Sequence, residues 1–381
     1  MFKKFLTLIS IIFFQQCFAL NFQVNNSYEL DNNIYYSIYN TSEFPLIAHV
    51  TTLPLDAIDI KLIPAHGQRE EVSSMAKRTN AFIAINGSNY RRGGKYNGNR
   101  VNLFYLNKKI YTDLKFIRGS FGWKTKNQTA IIDKIFLDTK LFINNKPFPI
   151  DQINQPRMPG KSILYTNFTD KFLLLHSPGK NIIINNNKII ENITYELPDT
   201  IPNGWYIYQV DKDRLPDIQK GMNAEFTFKL RSSELAKIYN DYDFIIGGAG
   251  LLIQNNKIVC DQLYNEFNQG TEIVHCNDEV AADFHTKIQQ EWLIEKRHPR
   301  TAIGITNDNK ICIIVVEGRS NNSEGLTLKE LALFMQQLGC HDALNLGGGG
   351  CSTLCIKNKV INNPATYEER PVSEALCFFK K

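Results

Sequence analysis

Beyond its first twenty residues the 381-residue chain has no second long apolar run. Nothing there approaches the roughly 20 consecutive apolar residues that a spanning helix needs, so no stable membrane anchor is expected. Excess charge is also missing. Without Lys3 and Lys4, 41 Lys and Arg face 38 Asp and Glu, a net of +3. Nucleic-acid binding calls for a strongly basic face, and this balance provides none. Internal repeats and low-complexity linkers are absent, so no domain boundary is visible. No glycine-rich loop is followed by Lys-Ser/Thr, and no G-x-G-x-x-G opens a helix, so the usual nucleotide templates fail. No His, Cys and Asp group has ligand spacing, so neither a metal nor a cofactor is expected.

What is present begins with a targeting signal. Lys3 and Lys4, an apolar run over residues 5–14 and Cys17-Phe-Ala19 make residues 1–19 a secretory signal peptide. The mature chain, residues 20–381, is then secreted or periplasmic and long enough for one large domain. Its seven cysteines permit disulfides there, but the odd number leaves at least one thiol unpaired. Cys260 and Cys276 bracket a polar segment and form the first candidate pair. Cys351 and Cys355 would stand about 13 Å apart along a strand, too far to bridge. Cys312, in an apolar run, reads as a buried free thiol.

Alternating and β-branched runs dominate the chain. Residues 35–39, 47–53 and 58–63 read as strands and residues 72–79 as a short helix. Residues 81–85 are apolar throughout, as a fully buried strand would be, and deliver Asn86 and Gly87 to a turn. Residues 131–135 with Asn144-Asn145 are a strand-then-turn signal, and Asn255-Asn256 is a hairpin signal. Residues 233–239 read as one helical turn or two. The densest signals lie in residues 298–353. There, residues 301–306 and 311–316 flank Asn307-Asp-Asn309 as a hairpin, and the second run, apolar on both faces, belongs in the middle of a sheet. Thr327-Leu-Lys-Glu330 is a capping box, followed by apolar residues at helical spacing and by Gly339 at the helix end. Residues 342–346 are strand-like again, so a strand–helix–strand crossover is expected on the sheet. The fold class is α+β: a mixed β-sheet core with a few packed helices in a single large domain.

Several places carry candidate chemistry. Asn86 stands beside a glycine-punctuated loop bearing Arg91, Arg92, Lys95 and Arg100, which is either an anion-attracting loop or a hairpin with solvated arginines. Glu317 ends the most buried-looking strand, next to Gly318 and Arg319, where an active-site carboxylate would sit. The competing reading is a surface Glu–Arg pair worth little. Gly347, Gly348, Gly349 and Gly350 would let a backbone approach a ligand and offer amide donors, or would only bend the chain between two buried strands. Cys351 invites comparison with a nucleophile elbow, with His285, His298 or His341 as base. That motif leads into a helix, whereas here a strand follows. Whether Arg300 and Asp342 join Glu317 depends on the fold.

Ordered segments add to these residues. They run Ala84-Ile-Asn-Gly87, Asn154-Gln-Pro-Arg157, Ile246-Gly-Gly248 with Leu251-Leu252, and His298-Pro-Arg-Thr-Ala-Ile-Gly304. Val316-Glu-Gly-Arg319, Gly325-Leu-Thr-Leu328, Glu330-Leu-Ala332, Leu344-Asn-Leu346 with its glycines, and Arg370-Pro-Val372 complete them. In these the chain resembles the phosphodiester glycosidase family. The resemblance implies an exported enzyme that hydrolyses the bond between a sugar anomeric carbon and a phosphate oxygen of a glycan or surface polysaccharide. On it, Glu317 is the expected catalytic carboxylate. Asn86, Arg91, Arg157, Arg300, Arg319, Gly347, Gly348 and Gly349 are the expected substrate-binding residues. Two departures stand out: the family's glycine motif carries Asp and Ser where this chain has Gly347 and Cys351, and its Val-Asp-Gly-Arg carries Asp where this chain has Glu317. The first allows a second reading, a lapsed member that binds glycans or sugar phosphates without turnover.

Overall fold

Asparagine sets much of the architecture, because its short polar side chain tolerates left-handed backbone. Among the residues described in the computed structural model (20–92, 97–113, 117–157, 160–169, 179–193, 200–211, 218–262 and 287–381), six consecutive pairs have positive φ at both positions. They are Asn32-Asn33, Asn107-Lys108, Asn144-Asn145, Asn186-Asn187, Asn255-Asn256 and Lys357-Asn358. Each closes a two-residue hairpin between antiparallel strands, including Asn255-Asn256, read from sequence as a hairpin, and Asn144-Asn145, read as a turn. The signal segment, Lys95, Cys276 and His285 lie outside the described residues.

The fold is sheet-rich. An eight-stranded sheet runs in the order Phe22–Asp31, Ile34–Thr41, Ala48–Pro54, Lys310–Val316, Arg300–Thr306, Cys340–Asn345, Leu251–Gln254 and Lys257–Ile258. Its neighbours are all antiparallel. The apolar run Lys310–Val316 is central, as its two apolar faces require. One face packs on the helix Leu328–Gln337; the other packs on two smaller sheets, one holding Ile83–Asn86 and Glu374–Lys380, the other Arg118–Lys124 and Phe244–Gly247. A further five-stranded sheet, with Ile163–Tyr165 and Trp205–Val210 among its strands, covers the outer face of the latter.

Three helices are described: α1 (Val72–Thr79), α2 (Lys287–Glu295) and α3 (Leu328–Gln337). In α3 the Thr327 hydroxyl accepts from Glu330 N at 3.1 Å while Glu330 Oε2 accepts from Thr327 N at 2.9 Å, completing the capping box. Gly339 has φ +81°. Lys310–Val316 and Cys340–Asn345, joined through α3, are parallel with Arg300–Thr306 between them, which is the crossover the sequence called for.

Two expectations change. Residues 233–239 are not helical: Ser232 Oγ accepts from the Glu234 and Leu235 amides, and Ala236 has φ +48°. The serine turn competes with the helix there. The six described cysteines after the signal, Cys260 among them, are buried free thiols.

Candidate active site

The crossover fixes where chemistry can gather. Parallel Lys310–Val316 and Cys340–Asn345 end at the edge where antiparallel Arg300–Thr306 begins, so Glu317, Gly347 and Arg300 meet at one side of the sheet. Asn86 ties the neighbouring sheet to this edge. Its Nδ2 donates to Gly347 O (2.6 Å) and Gly87 O (3.2 Å), and its Oδ1 accepts from Thr301 Oγ1 (2.8 Å) and Thr353 N (3.1 Å). The amide's two donors and two acceptor positions are thereby used. Asn86 was expected on substrate; instead it shapes the turn.

The glycines behave similarly. Gly347 N donates to Gly87 O at 3.0 Å and Gly349 N to Pro299 O at 2.8 Å, so these two amides face protein rather than ligand. Side chains are excluded by close approach. A Cβ on Gly347 would lie 2.8 Å from Ser88 O, on Gly348 2.9 Å from Pro299 O, and on Gly350 2.3 Å from the Arg370 guanidinium. At Gly349, φ is +68° and the Arg319 guanidinium lies 3.2 Å from the Cβ position. The four glycines let two arginines lie against the backbone.

Those arginines define the electrostatics. Burial and the nearby Arg370 and Arg92 hold the Arg319 guanidinium below its usual pKa, while Cys351 opposes them. Arg370 Nη1 stands 3.9 Å from Cys351 Sγ, and Tyr90 Oη lies 3.6 Å from the same sulfur. Burial and Cys351 push the Tyr90 hydroxyl up, against a hydrogen bond from Arg69. Among the described residues, none of Arg92, Arg319 and Arg370 has a carboxylate within ion-pair distance. Cys351 itself is buried, and among the described residues no histidine makes a hydrogen bond to it, so neither His298 nor His341 serves as the base of a nucleophile elbow.

Glu317 borders the same turn from another side. It is 8% exposed, and its Oε1 accepts from His49 Nε2 at 2.9 Å and from Asn363 N at 2.7 Å. The adjacent Asn362 is bonded to Ser352 O at 3.0 Å. Behind Glu317, Tyr36 Oη meets His49 Nδ1 at 2.7 Å. Burial and Glu317 raise the Tyr36 hydroxyl to about 12, so it stays protonated. An ionised Glu317 fixes the tautomer: His49 Nε2 donates to the carboxylate and Nδ1 accepts from Tyr36. No hydrogen bond among the described residues uses Glu317 Oε2.

Other expected binders lie elsewhere. Arg300 pairs with Val316 in register, so it faces α3 while Glu317, one residue on, faces the opposite side. Its Nε donates to Leu326 O (2.7 Å) and its Nη2 to Leu293 O (2.7 Å) and Lys296 O (2.9 Å), closing the C-terminal turn of α2. Burial and Arg319 lower its pKa to about 9. Arg157 pairs with Asp211 and packs on Gly179 in the five-stranded sheet. Arg91 is buried, its backbone pairing with Asn99 and Gly98. Asp342, at the far end of its strand, accepts from Asn255 N. His49, Tyr90 and Arg370 were not expected as site residues; Arg370 alone carried a signal, in Arg370-Pro-Val372.

A hollow of about 820 Å³ lies at the opposite end of the sheet, bordered by Asp133, Gln254, Asp308 and Asp342. Two of its carboxylates are engaged locally: Asp308 pairs with Lys310, and Asp342 Oδ2 lies 2.8 Å from His341 Nδ1.

A family model described as phosphodiester glycosidase matches residues 177–379, which contain Glu317, Arg319, Arg370 and the glycine turn. The chain is 32% identical over 133 residues to the SPbeta prophage-derived uncharacterized protein YomE of Bacillus subtilis strain 168, over 29% of this chain and 21% of that one. It is 22% identical over 155 residues to the mouse N-acetylglucosamine-1-phosphodiester alpha-N-acetylglucosaminidase, over 39% of this chain and 27% of that one. The chain thus spans well under a third of either relative. A hypothetical protein from Synechocystis shares the fold with TM-score 0.70 and 16% identity, over 91% of this chain and 62% of that one. Matched by the family model over more than half its length, this chain belongs to the phosphodiester glycosidase family.

Proposed function

We propose that the protein is an exported glycosidase that hydrolyses sugar-1-phosphodiester linkages, with Arg92, Arg319 and Arg370 holding the phosphate and Glu317 acting at the anomeric carbon. The observation that supports the reading is the pairing of three guanidinium groups that, among the described residues, have no carboxylate partner with one buried carboxylate whose Oε2 no described residue uses. A phosphodiester carries one negative charge. When the anomeric C–O bond breaks, the leaving monoester moves toward two. A cation cluster therefore binds the transition state more tightly than the substrate, which is the condition for catalysis.

One free carboxylate can suffice for this bond. Glycoside hydrolysis generally uses a second carboxyl to protonate the leaving oxygen. A phosphate monoester, with a second pKa of about 6, leaves as a stable anion and needs little protonation. Glu317 Oε2 then attacks the anomeric carbon or takes a proton from the attacking water, while His49 and the Asn363 amide hold Oε1 still.

The absence of an acid at Gly347 favours a second reading, binding without turnover. Assay of the mature chain on a panel of sugar-1-phosphodiesters, beside Glu317→Gln, separates the two. Turnover lost in the variant supports hydrolysis; binding without turnover in the unaltered protein supports the lapsed member.

A further inference from the structure

The hollow at the far end of the eight-stranded sheet has one wall made of open backbone. Strand Thr129–Ile143 pairs with Arg118–Lys124 over residues 129–135 and, on its other side, with Ala224–Ser232 over residues 135–143. The second partner leaves at Ser232, after a last bond from Ser233 N to Lys134 O at 2.9 Å. Residues 129–133 are therefore paired on one side only, and all of them border the hollow of about 820 Å³.

Register identifies the open groups. Along an antiparallel strand the backbone groups of successive residues point to alternate sides. Ile131 and Asp133 face their partners Gly122 and Ser120, whereas Lys134 O points toward Ser233. The N–H and C=O of Ala130 and Ile132 follow Lys134, and no described residue bonds to them on that side. Free sheet edges are commonly guarded by Lys, Pro or a bulge. The stretch Thr129-Ala-Ile-Ile-Asp133 has none of these. The outer strand Phe22–Asp31, by contrast, is interrupted by register shifts between Val24 and Asn26 and between Glu29 and Asp31. A regular unguarded edge presents donors and acceptors every two residues, about 6.8 Å, and an extended chain repeats at that spacing.

The remaining walls select the side chains of such a chain. Leu55 and Leu235, the latter 50% exposed, offer apolar surface. Asp133 is held by Tyr239 Oη at 2.7 Å and Gln254 Nε2 at 3.2 Å, and Asp56 is exposed at the rim. Among the described residues neither carboxylate has a cation within ion-pair distance, against one lysine of the wall, Lys237, without an anion. The surplus is acidic. We propose that this hollow docks an extended basic segment of a partner protein, which adds one strand to residues 129–133. Its backbone bonds to Ala130 and Ile132, and a Lys or Arg side chain lies beside Asp56. Docking there is remote from Glu317 and needs no hydrolase activity.

The test selects binders of the full mature chain from a phage-displayed library of random peptides about ten residues long, with Ala130→Pro as the counter-screen. Proline at 130 removes no ladder bond but blocks the open edge, so the unfolding midpoint should match the parent. Selected peptides should carry net positive charge and fail to bind Ala130→Pro. Methylating the backbone nitrogens of one such peptide in turn should weaken binding at least about tenfold at alternate positions and little between them. Asp56→Lys, on the exposed rim, should weaken it about fivefold. In the free chain the Ala130 and Ile132 amides should exchange hydrogen faster than those of Ile131 and Asp133, and should slow when peptide binds. If Ala130→Pro unfolds early, methylation and exchange on the parent alone decide. Peptides without positive charge, equal binding to parent and a folded Ala130→Pro, methylation without alternation, or Ala130 and Ile132 already protected in the free chain would each overturn the proposal. A dimer in sedimentation that Ala130→Pro dissociates would put a second copy in the hollow and overturn it equally.

Discussion

The two ends of the eight-stranded sheet make opposite use of charge. At one end the hollow is large, yet Asp133, Asp308 and Asp342 are all engaged by Tyr239, Lys310 and His341. At the other, Arg319 and Arg370 lie on bare glycine backbone, and among the described residues no carboxylate pairs with them. Unneutralised charge held by a scaffold is costly, and it persists where something else supplies the counter-charge.

The sharpest way to break this contrast is to neutralise one carboxylate at each end. Glu317→Gln preserves shape, and turnover on a responsive sugar-1-phosphodiester should fall roughly a thousandfold, within the range expected for a positioned acid–base group. Asp342→Asn, at the far end, should leave turnover within about twofold, since the residue holds only the Asn255 turn and His341. Equal effects from both substitutions would sink the assignment of the site to the glycine edge.

Next comes the cation cluster. Hydrogen bonds to charged groups are worth about 1.5–3 kcal/mol, so Arg370→Ala should cost roughly ten- to a hundredfold in kcat/KM. Arg300→Lys tests the other side of the claim. Arg300 serves carbonyls of α2 and residue 326, so its loss should lower the denaturation midpoint rather than selectively weaken phosphate binding. A selective rise in KM with unchanged stability would return Arg300 to the phosphate site.

These cases show what the sequence could reveal. The hairpins at Asn255-Asn256 and Asn307–Asn309, the capping box and the crossover were legible because each depends on a local pattern of a few residues. The edge where Glu317 and the glycines gather followed from the crossover. Which arginines face it did not. Arg300 and Glu317 border the same edge but point to opposite faces, a matter of strand register that no motif encodes. Arg370 reaches Gly350 from a distant segment, and His49 meets Glu317 only because Ala48–Pro54 pairs with Lys310–Val316. The serine turn at Ser232 likewise overrode a weak helical pattern.

A smaller effect concerns the glycine that replaces an acid. Gly347→Asp would be the intuitive restoration, yet its Cβ would sit 2.8 Å from Ser88 O, a backbone atom held in a buried network. Overpacking of this kind costs about 1–3 kcal/mol. The variant should therefore unfold at lower urea than the parent and should not gain activity. A variant as stable as the parent and faster on substrate would mean that the turn can open to admit a carboxylate.

The smallest expected effect is on the pH dependence of stability, and it comes from His298. Its Nε2 lies 3.0 Å from the Trp292 carbonyl, which can only accept, so that nitrogen carries the proton. Its Nδ1 is buried without a donor. Burial, with Arg300 and Arg319 nearby, lowers the pKa from 6.5 to about 4. The unfolded chain therefore takes up a proton near its ordinary value while the folded chain resists it. Between about pH 6.5 and 4 the unfolded state binds more protons, so stability is full above this window and declines as pH falls through it. His298→Gln removes the group that titrates, and the difference in urea midpoint between about pH 7 and about pH 5 should shrink. An unchanged difference would mean that His298 is protonated as easily in the fold as outside it, and that the arginine edge does not repel a further positive charge.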